Sequence, residues 1–164
     1  MKWTALLIAC MVILTESTEE WKLDRAWLSM SEQQRYEADT EYKARACGLT
    51  EEEFILFSSV VEAESDRSNN IEGRILIAET ILNRVESESW PNTITGVVTQ
   101  PGQFSVVSSG TVCANRTNLS DAAVLEAFNE VASGEAPHVM YFNCIGYGVG
   151  EPYMCVGGNY FTVT

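Results

Sequence analysis

Two stretches of helical pattern separated by a short polar loop constrain this chain most. "LTEEEFILFSSVVEAES" (49–65) and "IEGRILIAETILNRVESES" (71–89) flank "DRSNN" (66–70). Thr50, followed three residues on by Glu53, is a capping-box pattern that predicts a helix start. That helix is expected to end near Ser65. In the second stretch Ile75, Ile77, Ala78, Ile81, Leu82 and Val85 include the 3–4 spacing of an amphipathic helix. The loop between them is rich in turn-forming residues, and Trp90-Pro91-Asn92 breaks the second helix. "TITGVVTQ" reads as a further short helix. "PGQFSVVSSG" reads as a loop with turn chemistry at Pro101-Gly102. Ser120 is expected to cap a third clear helix, "DAAVLEAFNEVAS", which stops at Gly134. The tail, "HVMYFN" and "NYFTVT", reads as two strands joined by a Gly-rich loop. The fold class is therefore α+β: a mostly helical domain over residues 47–164 with a small C-terminal β-hairpin.

The 46 residues ahead of that domain are of another kind. Lys2 and the uncharged 12-residue run 3–14, "WTALLIACMVIL", resemble the start of an export signal. The run is short for a membrane span. Residues 1–20 are expected to act as a signal peptide or a membrane anchor, with "LIAC" at 7–10 leaving lipidation of Cys10 open. Residues 21–46 are polar, lack Gly and Pro and carry a thin apolar stripe, Trp21, Leu23, Trp27, Leu28 and Met30. They read as a helical stalk or linker. The protein is expected to be exported and to be extracellular, in the cell wall or membrane-anchored, with the N-terminal segment as its only membrane contact.

Charge and cysteine content narrow the chemistry. A formal net charge of −13, from 23 acids against 10 Lys plus Arg, leaves no basic footprint for nucleic acid. His138 is the only histidine and no CxxC pair exists, so no metal site and no cofactor are expected. Cys144 and Cys155 flank a turn and either pair or stay as free thiols.

Glu62, Glu64 and Asp66 follow at intervals of two, about 200° apart on a helix. Neighbours in that series therefore point to opposite sides. Val60 and Val61 share the flank of Glu64 and place it at the edge of the apolar face, with Glu62 turned toward water. Glu64 also sits at a helix C-terminus, where the macrodipole disfavours negative charge. Partial burial adds to that effect. Both raise a carboxyl pKa, as a general acid working near neutrality requires. An ordinary solvated helix end is the alternative. Glu72, in the first turn of the second helix, is explained by the dipole alone. It is also the one nearby acid on a facing element.

Several ordered motifs resemble one family: Ala63-Glu64, Glu72-Gly73, Leu82-Asn83-Arg84-Val85, Pro91 with Ile94, Gln100-Pro101-Gly102-Gln103-Phe104, and Gly157-Gly158-Asn159-Tyr160-Phe161. Together they are similar to the cell wall hydrolases of the spore cortex-lytic enzyme type, a variant of the lysozyme and lytic transglycosylase superfamily. The resemblance implies a lysozyme-like fold. It also implies cleavage of the β-1,4 bond between N-acetylmuramic acid and N-acetylglucosamine in peptidoglycan glycan strands. Glu64 would be the catalytic acid, and the muramic 6-hydroxyl the nucleophile that leaves a 1,6-anhydro end. Glu72, Gln103, Phe104, Tyr141 and Asn159 become candidate substrate-binding residues on a monomer, with Gln103 bonding sugar and Phe104 packing under the cleft. Two departures stand out. The loop between Glu64 and Glu72 is about one residue longer than usual, which keeps Glu62 open as the equivalent acid. Asn159 also stands where the family pattern has His. A catalytically weak peptidoglycan-binding protein and a hydrolytic muramidase remain the alternatives.

Overall fold

The computed structural model describes residues 29–65, 70–104, 107 and 116–164. The signal or anchor reading, the segment 66–69, Cys10 and Cys113 lie outside them. Contacts divide the chain into two units, Met1–Asp39 and Thr40–Thr164. Among the described residues five helices and three strands follow in the order α1 (Glu32–Ala46), α2 (Glu51–Glu64), α3 (Ile71–Glu86), α4 (Ile94–Val98), α5 (Asn118–Ser133), β1 (Val139–Asn143), β2 (Glu151–Val156) and β3 (Asn159–Val163). Among the described residues no helix is long and apolar enough to cross a membrane.

Local chemistry sets the helix ends. Thr50 and Glu53 form the expected capping box: each backbone N–H donates to the other's side chain at 3.2 Å. Asn70 starts α3 by accepting from the Gly73 N–H. The third long helix begins earlier than the sequence suggests. Its cap is Thr117, and Ser120 is the reciprocal partner three residues on. Gly134 ends it with φ +75, a conformation glycine adopts without steric cost.

α3 is the central element, buried from Leu76 to Arg84 and packed against α5 and β1. α2 lays Phe54, Phe57, Val60 and Val61 into the same core. A buried polar knot joins the last turns of α1 to α2 and α5. Asp121 accepts from Lys43 at 2.9 Å, from Arg116 at 2.7 Å and from Ser58 at 2.7 Å. Burial alone would raise its pKa, but these donors outweigh burial and hold it low. Thr40 and Ala44 are also buried, so the end of the predicted stalk is part of the packed unit.

The sheet has three antiparallel strands, in the order β1-β3-β2. The tail was expected to form a two-stranded hairpin, and its connecting loop contains a third strand. "EPYMCV" escapes detection because Pro152 interrupts the strand pattern. β2 lies at a sheet edge and is mostly exposed, where proline is tolerated. The register also separates the two thiols: Asn143 of β1 and Cys155 of β2 both lie opposite Tyr160 of the central strand. Cys144 and Cys155 are free.

One side chain on α3 is out of keeping with its surroundings. Glu79 is 0% exposed, and neither carboxyl oxygen finds a hydrogen-bond donor. Burial, followed by the nearby Glu130 of α5, pushes its pKa up to about 8. The folded state therefore keeps a proton that the unfolded chain releases above its ordinary value of 4.5. Stability contributed this way is fully present below that value and is lost as pH rises toward 8. Asp121 and Glu62, with lowered pKa values, lose stability only below their ordinary 3.8 and 4.5. Thermal unfolding should thus show a midpoint falling from pH 5 to pH 8, and Glu79→Gln should flatten that slope. An unchanged slope in the variant would rule Glu79 out as its source.

Candidate active site

Glu64 is the last residue of α2. Ser65 takes an extended conformation, with its N–H donating to the Val61 carbonyl and its hydroxyl to the Glu62 carbonyl at 2.7 Å. Asn159, at the start of β3, donates its side-chain amide to the Glu64 carbonyl at 3.2 Å. The sheet is thereby tied to the helix end that carries the acid. Glu64 Oε1 is buried and has no hydrogen-bond partner among the described residues. Burial raises the Glu64 pKa. No basic residue occupies the last turn of α2 to offset its negative dipole end.

Glu62 is in the opposite situation. Arg74 of α3 grips it with Nε at 2.9 Å from Oε2 and Nη2 at 2.8 Å from Oε1, while Thr117 Oγ1 donates at 2.7 Å. The hydrogen bonds from Arg74 lead in holding its pKa low, against burial and together with Thr117. Glu62 does not face open water as expected, because Arg74 reaches back from the first turn of α3 to cover it. Two acids two residues apart thus end in environments that push their pKa values in opposite directions.

The Glu64 carboxyl lines a cleft of about 330 Å³ with Arg84, Gln103, Phe104, Phe142, Asn143, Cys144 and Asn159. Among these described lining residues Glu64 is the single acid and Arg84 the single cation. Phe104 is buried beneath the cleft, its ring 6.4 Å from that of Phe142. Gln103 is exposed and accepts from Arg84 Nη1 at 3.4 Å. Arg84 lies over Trp90 at 4.2 Å and donates to the Met140 carbonyl at 2.9 Å. Burial lowers its pKa to about 10, so it stays charged near neutrality. A larger hollow of about 510 Å³, lined by Leu49, Leu82, Val85, Ile94, Phe128 and Val131 among others, is mainly apolar. Of its two acids, Glu53 belongs to the α2 capping box and Glu86 is the last residue of α3. The smaller cleft, with its acid and its cation, is the candidate site.

The structure thus brings Glu64, Gln103, Phe104 and Asn159 together and leaves Glu72 and Tyr141 outside the cleft. Glu72 is exposed and borders a separate hollow of about 150 Å³ with Glu79, Glu130 and Tyr153. Its neighbour Gly73 serves packing: a Cβ there would lie 3.4 Å from Gly157 Cα in the β2–β3 turn. Tyr141 packs on Trp90 with ring centroids 6.3 Å apart, a member of the aromatic set around Arg84. Arg84 ties the end of α3 to β1 and to the loop of Gln103, and it also lines the cleft. Asn143 and Cys144 carried no sequence signal, because their place depends on where β1 ends.

The cell wall hydrolase family pattern matches residues 68–146, from just after Glu64 to the loop beyond β1. The chain is similar to this family over those residues, just under half of its length. The relatives are of the spore cortex-lytic type. The spore cortex-lytic enzyme of Bacillus cereus is 35% identical over 82 residues, 50% of this chain and 31% of that one. That of Bacillus subtilis is 32% identical over 96 residues, 58% of this chain and 31% of that one. The chain thus covers about a third of the length of these curated relatives. Two crystal structures agree in fold. The catalytic domain of Bacillus cereus SleB is 26% identical, with TM-score 0.59 over 69% of this chain and 91% of that one. That of the germination-specific lytic transglycosylase SleB from Bacillus anthracis is 26% identical, with TM-score 0.60 over 70% and 97%.

Proposed function

We propose that this protein is a peptidoglycan-cleaving glycosidase that acts as a lytic transglycosylase on the bond between N-acetylmuramic acid and N-acetylglucosamine, with Glu64 as its one catalytic acid. The observation that carries this reading is the contrast within α2. Glu64 is half-buried, its Oε1 is without a hydrogen-bond partner among the described residues, and burial biases it toward its protonated form, whereas the hydrogen bonds of Arg74 and Thr117 favour the ionised form of Glu62. Protonated Glu64 donates to the glycosidic oxygen as the C1–O bond breaks through an oxocarbenium-like state. The 6-hydroxyl oxygen of the same muramic residue then bonds to C1, and the Glu64 carboxylate takes its proton. Glu64 ends protonated, no water is consumed, and a 1,6-anhydro end is left.

The number of carboxyls favours this route over hydrolysis. Retaining and inverting hydrolases ordinarily use two acids about 5 to 10 Å apart. Among the described residues Glu64 is the single carboxylate on the cleft, and Glu72 borders another hollow. Gln103 is placed to hydrogen-bond sugar, and Phe104 forms the floor. Action on the wall requires export, the role proposed for residues 1–20. The test is the mass of muropeptides released from purified peptidoglycan by the full chain. Anhydro ends are expected, and products carrying only reducing ends would identify a hydrolytic muramidase instead.

A further inference from the structure

The loop from Cys144 to Gly150, "CIGYGVG", leaves β1 at the edge of the cleft. Its apolar tip is bare: Ile145 is 92% exposed, Val149 69% and Tyr147 46%. Such residues would ordinarily collapse onto the sheet, but here the loop is pinned in place. Asn143, itself a cleft residue, accepts from the N–H groups of Ile145 at 2.9 Å and Gly146 at 3.0 Å. Gly148 folds back so closely that a Cβ would meet Asn143 Nδ2 at 3.2 Å. Thr162 Oγ1 donates to the Val149 carbonyl, and Gly150, at φ +94, lies against the Val163 carbonyl where no side chain fits.

Tyr147 packs edge-on against Tyr160, with centroids 5.2 Å apart and ring planes at 80°. Tyr160 lies directly opposite the cleft residue Asn143 in the β1–β3 register, and paired residues share a face, so the ring pair borders the cleft. An edge-on contact leaves each ring at least one face clear of the other. No charged residue occurs from 139 to 150, in a chain of formal charge −13.

We propose that this loop is a sugar-stacking platform that extends the Glu64 cleft, with Tyr147 as the ring on which a pyranose of the glycan strand lies. The idea rests on the reading of the cleft as a peptidoglycan site. The apolar C–H face of a pyranose carries slight positive charge and suits the electron-rich face of an aromatic ring. Three exposed side chains are too few for a protein interface, which needs about 800 Å² on each partner. They match the footprint of one or two sugar rings. A loop already held in shape loses little entropy on binding, so its contacts appear as affinity.

The test uses the full chain carrying Glu64→Gln, to prevent turnover, sedimented with purified peptidoglycan. Adding Tyr147→Ala should weaken binding about tenfold, whereas Tyr147→Phe, which keeps the ring, should bind within about twofold of the parent. With Glu64 intact, Tyr147→Ala should raise KM and leave kcat in place. Tyr147 is exposed at a loop tip, so the melting temperature should not move. Binding by Tyr147→Ala within twofold of a parent that does bind would overturn the platform and leave the cleft reading standing. A parent that fails to bind peptidoglycan would overturn both.

Discussion

Glu64→Gln is expected to lower turnover on purified peptidoglycan by about 10³-fold or more, within the range of positioned general acids. Glutamine has the size of glutamate and has no acidic proton to give the leaving oxygen. The loss should fall on kcat, because the cleft keeps Gln103, Phe104 and Asn159, and binding of the glycan should persist. The fold should also persist. Burial disfavours the ionised Glu64 carboxylate, so a neutral amide removes a cost of folding at neutral pH and above. The melting temperature should stay level or rise. Loss of activity with intact melting and binding separates a catalytic residue from a structural one. It also separates an enzyme from a binding protein on the same fold, which would have no turnover to lose.

Glu62→Gln should do the reverse. Arg74 has a side chain only 3% exposed and makes two hydrogen bonds to Glu62. Without the carboxylate the buried guanidinium loses this ion pair and its two charge-assisted hydrogen bonds, a change that costs about 3 kcal/mol for a largely buried pair. That corresponds to a drop of roughly 10 °C in melting temperature, read by thermal unfolding. Assayed well below that midpoint, turnover should remain within about tenfold of the parent. Replacing Arg74 with methionine in the same chain should recover part of the stability, because a buried charge is then removed. If Glu62→Gln instead melted like the parent, the ion pair would have no structural weight.

The acid and its helix were legible because the signal was local. Thr50 and Glu53 mark the start of α2, Val60 and Val61 mark its buried flank, and position alone puts Glu64 at its end. Spacing separated Glu64 from Glu62 but misjudged what Glu62 faces. Its partner Arg74 lies 12 residues on, beyond the reach of any one-helix pattern. Asn159 was a candidate through the family resemblance, but distance in sequence hid what it bonds. Its bond to the Glu64 carbonyl joins positions 95 residues apart and exists only once β3 has found its place. The third strand was obscured by Pro152, which an edge strand accepts and a strand pattern does not. At the end of α3, Asn83 is a tether, bonding the Pro137 and Val139 carbonyls, and its neighbour Arg84 bonds the Met140 carbonyl. Nothing in the sequence indicated that its charge also borders the cleft. Glu79 did leave a trace, as an acid within the apolar run "RILIAETIL", but only its burial against Glu130 gives that trace meaning.

The central claim is that one glutamate, Glu64 and not Glu62, supplies the acid. The most direct test is a side-by-side digestion of purified peptidoglycan by the parent chain, Glu64→Gln and Glu62→Gln, with released muropeptides followed by mass over time. Anhydro-ended products are predicted from the parent and, more slowly, from Glu62→Gln, with none above background from Glu64→Gln. Release by Glu64→Gln at a rate near the parent's, or silence from a folded Glu62→Gln while Glu64→Gln remains active, would contradict it.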